Sequence, residues 1–103
     1  VVNTTEQLVR VDPSSTSYEQ LGWAQFRLGD YSASSEAYKV AVEFDEENWR
    51  AMNGIGVNAL NAWLLGKRKN IDAYQDARVA FRRSLVLNPD QPKVITLVLR
   101  YGL

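Results

Sequence analysis

Cysteine and histidine are both absent from this 103-residue chain. Without cysteine there is no disulfide, no thiolate nucleophile and no zinc–sulfur site. The redox compartment stays open, because a cysteine-free domain is at ease in any of them. Without histidine the commonest general base and the commonest metal ligand are gone. Acid–base work would fall to carboxylates, lysine or tyrosine, so an enzyme is not expected, and no cofactor or metal site is expected either. A membrane span needs roughly 18 or more apolar residues in a row. The longest apolar stretches, Val94–Leu99 and Ala62–Leu65, fall far short of that. No succession of basic, apolar and small residues marks a signal peptide. The chain opens on Val1 rather than Met, which suits a processed product or a piece of a longer protein.

What is present is an ordinary apolar fraction, 46%, enough for one domain with a modest core. The net charge is zero but unevenly spread. Residues 1–48 carry three basic and nine acidic side chains; residues 49–103 carry nine basic and three acidic ones. The chain is therefore an electric dipole along its sequence, and a linear stack of elements would keep that dipole in space.

The chain also repeats itself, which is the first thing to seek in such a sequence. Tyr18-Glu19-Gln20-Leu21-Gly22 recurs as Met52-Asn53-Gly54-Ile55-Gly56 at an offset of 34 residues. A second motif occurs three times, as Val9-Arg10-Val11-Asp12-Pro13, Val42-Glu43-Phe44-Asp45-Glu46 and Leu85-Val86-Leu87-Asn88-Pro89. Each is the end of an apolar helical pattern followed by Asp or Asn and a breaking residue. Tyr18, Leu21, Gly22, Gly29-Asp30-Tyr31, Tyr38 and Ala41, then Met52, Ile55, Gly56, Tyr74, Ala77, Phe81 and Pro89, resemble the pattern of the tetratricopeptide repeat (TPR) family over nearly the whole chain. The resemblance implies an all-α fold: antiparallel helical hairpins stacked as a right-handed superhelix. Ser34 departs from the usual Ala and Glu46 from the usual Pro, both mildly. The spacing departs more: 12 residues separate Gly22 from Ser34, but 21 separate Gly56 from Ala77, so the second hairpin carries about nine extra residues.

Local signals agree with that frame. Ser14, Ser15, Thr16 or Ser17 can cap a helix over 16–28. Leu28-Gly29-Asp30 closes it, with Gly29 suited to a left-handed C′ position and Asp30 to capping the next helix. A helix over 31–44 would bury Tyr31, Ala37, Tyr38, Ala41 and Phe44. Asn48 caps a helix over 49–65 that ends at Gly66; Asn70 or Asp72 starts another to about Leu87; Asn88-Pro89 stops it. Pro92 fits the first turn of a last helix over 92–101. Val94–Leu99 is rich in β-branched residues and also suits a strand. The expected organisation is a single domain: 1–12 as the end of a preceding helix, 15–48 as one repeat, 49–91 as an extended repeat, and 92–103 as the first helix of a partial repeat or a cap. Gly22 and Gly56, each costing about 1 kcal/mol inside a helix relative to Ala, are expected where neighbouring helices approach closely.

No catalytic constellation stands out. Gly54-Ile55-Gly56 lies mid-helix and lacks the lysine of a phosphate loop. Asp45-Glu46-Glu47 reads as a solvated turn with acids at a helix N-terminus. Ser32, Ser34 and Ser35 have no base nearby in sequence. Lys67, Arg68 and Lys69 with Arg78, Arg82 and Arg83 form a basic cluster, but the zero net charge argues against a nucleic-acid partner. The resemblance further implies that the first helix of each hairpin lines a concave groove holding a protein or peptide. On this sequence the groove positions fall on Thr16, Glu19, Trp23, Phe26 and Arg27, on Arg50, Asn53, Val57, Leu60 and Asn61, and on Lys93, Thr96 and Arg100. Trp23 lies off its helix's packing stripe and is the natural anchor, since aromatics and Arg dominate binding hot spots. Glu19 and Trp23 replace the Lys and Asn by which some members clamp a terminal carboxylate, so that mode is not expected. The competing reading is self-association, the acidic half of one copy meeting the basic half of the next in a head-to-tail homo-oligomer.

Overall fold

The computed structural model describes residues 2–103; Val1, the first residue of the expected leading segment, lies outside them. Six helices follow one another: α1 (Val2–Val11), α2 (Ser15–Arg27), α3 (Tyr31–Phe44), α4 (Trp49–Leu65), α5 (Ile71–Leu87) and α6 (Pro92–Tyr101). Among the described residues there is no strand, so Val94–Leu99 is helical. Val94 is buried and Leu97 and Val98 pack against the larger core cluster, while Ile95 and Thr96 are exposed; packing overrides weak local propensity.

The helix boundaries follow from short polar side chains. Ser14 accepts from the Ser17 amide while Ser17 Oγ accepts from the Ser14 amide, a reciprocal capping box. Asp30, Asn48 and Asn70 each accept the amide of the residue three positions on. Gly29 ends α2 with φ +81°, a conformation open to glycine at little cost.

The connections are short, and consecutive helices pair. α2 packs on α3 and α4 on α5, forming two hairpins; α3 packs on α4, which joins them, and α1 and α6 flank the pair. The second hairpin is the longer: α4 and α5 have 17 residues each, against 13 in α2 and 14 in α3. The molecule measures 40 × 28 × 20 Å.

Two clusters form the core. The larger gathers Leu60, Trp63, Ala73, Ala77, Phe81, Val94 and Leu103; the smaller holds Tyr38, Ala41 and Ala51 at the joint between hairpins. Tyr31 and Phe44, expected in the core, are instead 42% and 54% exposed. They are the first and last residues of α3, at the ends of the helix where burial is incomplete. Each finds an aromatic partner at the rim: Phe44 stacks on Tyr18 at 5.6 Å and Tyr31 tilts against Phe26 at 5.5 Å.

The glycines show what the close approach consists of. A methyl at Gly22 would stand 2.9 Å from the Tyr38 ring, and one at Gly56 2.8 Å from the Phe81 ring. Each glycine therefore receives an aromatic ring from the second helix of its own hairpin rather than another backbone. Gly54, which has no glycine counterpart in the first repeat, meets the opposite edge of Tyr38. One ring is thus held between α2 and α4.

Ser34, the mild departure from Ala, is fully buried. Its Oγ donates to the Gly22 carbonyl at 2.7 Å and accepts from Asn58 Nδ2 at 3.1 Å, so it ties α2, α3 and α4 together.

A Gly56→Ala change gains about 1 kcal/mol of helix propensity but overpacks against Phe81, at a cost of roughly 1–3 kcal/mol. Phe81 is fully buried and has nowhere to move. The variant should lose about 1 kcal/mol net in urea unfolding, and the same change made in a Phe81→Leu background should cost less, a coupling read from the double-mutant cycle.

Candidate functional site

The first helix of each hairpin presents two stripes. On α4, Met52, Gly56, Leu60 and Trp63 recur at three- and four-residue steps and are buried against the rest of the core. The neighbouring stripe of Arg50, Asn53, Gly54 and Val57, one step round the helix, meets Glu19, Trp23 and Phe26 of α2. These seven residues, with Tyr38 as the eighth, line an open hollow of about 290 Å³. Six of the thirteen residues expected at a groove therefore come together: Glu19, Trp23, Phe26, Arg50, Asn53 and Val57.

The other seven divide. Thr16, Asn61 and Thr96 do not line the hollow. Arg27 stands at the edge with its Cζ 5.8 Å from the Trp23 ring centre. Lys93 lines an adjoining hollow with Asn53, Gln91, Pro92 and Val94. Leu60 does not face the groove; it is 6% exposed and packs in the larger core cluster. The reason is helical phase, since Leu60 follows Gly56 by four residues on the core stripe, whereas Val57 sits one step round. Arg100 is exposed in the last turn of α6, and among the described residues none of the lining of either hollow includes it.

Trp23 is the most exposed apolar wall of the hollow, at 55%. It lies nearly parallel to Phe26, three residues on, with ring centres 5.9 Å apart and planes 14° from each other. Tyr31 continues the aromatic row beyond Phe26.

Glu19 and Asn53 are committed to the scaffold. Asn48, the cap of α4 and 2% exposed, donates through Nδ2 to Glu19 Oε1 at 3.0 Å and to Ser15 Oγ at 2.8 Å. Glu19 Oε2 lies 3.3 Å from Arg50 Nε. The same arrangement recurs one hairpin later. Asn53, the 34-residue counterpart of Glu19, donates to Gln91 Oε1 at 2.7 Å, and Gln91 stands at the start of α6 as Asn48 stands at the start of α4. Gln91 Nε2 in turn donates to Ser84 Oγ and to the Asn88 carbonyl. Asn53 Oδ1 is buried and has no hydrogen-bond partner among the described residues.

Tyr38 was legible as a core residue but not as the floor of the hollow. The signal was Gly54, a second glycine two residues before Gly56, which makes sense only if a bulky group lies against it. Burial pushes the Tyr38 hydroxyl up from 10.0 to about 12, and the nearby Glu19 carboxylate adds to the rise.

No protein-family model matches the chain, and no curated protein matches it.

Because the folded-state pKa of Tyr38 lies above its unfolded value, its contribution to stability is full below pH 10 and is lost as pH rises through about 12. Spectrophotometric titration should show a tyrosine ionising near pH 12. A Tyr38→Phe variant should lack that late step.

Proposed function

We propose that the two hairpins are TPR-like repeats and that the domain is a protein-interaction scaffold, not an enzyme. The Trp23–Phe26 hollow is its partner-binding surface. The observation that carries this reading is Trp23: a large aromatic more than half exposed, stacked beside a second aromatic at the mouth of a preformed hollow. Exposed aromatics beside a concavity are the usual anchors of an interface. Support for repeat-type stacking comes from the 34-residue offset, from the aromatic ring laid on a glycine in each hairpin, and from the recurring polar link at the head of α4 and α6.

The chemistry of the walls defines the occupant. Trp23, Phe26 and Val57 are apolar and the volume suits one bulky side chain. The one carboxylate, Glu19, is already neutralised by Arg50 and held by Asn48. Arg27 and the outer part of Arg50 leave the rim cationic. The partner is therefore a segment with an aromatic or large aliphatic anchor and acidic residues beside it.

Peptides selected from a display library on the wild-type domain should carry such an anchor. A Trp23→Ala/Phe26→Ala double variant should bind them at least about 30-fold more weakly, the scale of a lost hot spot, while its helical circular-dichroism signal is retained. Equal binding by the two proteins would remove the assignment.

A further inference from the structure

A second, larger hollow lies elsewhere. About 670 Å³ opens between α3 and α5, with Met52 of α4 beneath. Its lining is sorted by charge. Val42, Met52, Val86 and Leu87 make an apolar strip; Glu43 and Glu46 stand on the α3 side; Arg82 and Arg83 stand on the α5 side. The strip is not sealed: Val86 is 82% exposed and Leu87 41%. Among the described residues, neither acid is within ion-pair distance of either arginine, and Arg83 has no ion-pair partner. Arg82 uses its Nε to donate to the Leu103 carbonyl at 2.7 Å. Val79, 49% exposed, extends the same face of α5, four residues before Arg83 and seven before Val86.

We infer that this face binds a second copy of the chain about a two-fold axis running along the groove. An isologous contact requires a surface complementary to itself. A two-fold axis parallel to the apolar strip turns the acidic wall of one copy onto the basic wall of the other, and does so twice. The two apolar strips then cover each other, and charges left unpaired across each groove are paired across the interface. A partner of uniform charge would meet one wall favourably and be repelled by the other. The contact differs from a head-to-tail stack: it closes at two chains and leaves the Trp23 hollow, on the side of α2 and α4, uncovered.

Charge reversal tests the geometry. Arg82 is left intact because it also holds Leu103. Wild type should dimerise by sedimentation velocity at about 100 µM and low salt, and dissociate as salt screens the pairs. Arg83→Glu and Glu43→Lys/Glu46→Lys should each weaken self-association at least tenfold, the scale of a lost charge pair. An equimolar mixture of the two variants should form a heterodimer, because each then supplies the charge the other has reversed. All three positions are on the surface, and circular dichroism checks that each variant is folded. A wild type that stays monomeric under these conditions would overturn the inference. So would variants that dimerise as well as wild type, or a mixture that associates no better than its components.

Discussion

The arrangement depends on one ring. Tyr38 leaves α3 and lies between Gly22 of α2 and Gly54 of α4. A side chain on either glycine would strike it, so the pair fixes how near α2 and α4 come to a common neighbour. That spacing sets the width of the hollow above the ring, whose walls are the outward stripes of the same two helices. The helical cost of two glycines, about 1 kcal/mol each, is offset by burying a tyrosine to 6% exposure. Phe81 on Gly56 repeats the half of this device that lies within a hairpin. The half that lies between hairpins occurs once among the described residues.

Polar side chains supply the register that apolar packing leaves loose. Asn48 and Gln91 each stand at a helix start and reach back to the equivalent position of the preceding first helix, Glu19 and Asn53. Buried amides of this kind tolerate little sliding, because a shift leaves a desolvated donor unpaired. Ser34 has the same office inside the first hairpin, spanning three helices through a single hydroxyl.

Helix type and boundaries were legible because caps, glycines and a 34-residue rhythm all pointed one way. The stripe assignment on α2 was legible for a related reason: Trp23 is apolar yet out of phase with Leu21 and Ala24. Leu60 was misplaced because α4 is apolar on more than one side, and composition alone cannot tell a groove residue from a core residue one step round the helix. Tyr31 and Phe44 were misplaced because periodicity says which face a residue takes, not how completely it is covered at the ends of a helix. The role of Asn53 was hidden for a third reason. Its partner, Gln91, lies 38 residues on, and no local pattern couples the two.

The turn after α4 has a consequence for how the last helix is held. Lys67 and Arg68 both take left-handed backbone conformations, φ 56° and 62°, each at a cost of roughly 1–2 kcal/mol for a residue with a side chain. The Arg68 guanidinium lies 5.3 Å from the Trp63 ring centre and 6.0 Å from that of Tyr101 in α6. The strained turn and the docked helix therefore hold each other in place through a shared cation. If α6 lifts away, the turn loses part of its restraint, and if the turn relaxes, α6 loses a clasp. The two should open together as one cooperative unit, separate in free energy from the joint at Tyr38. This end of the molecule would then behave as a latch with two states rather than as a fraying terminus.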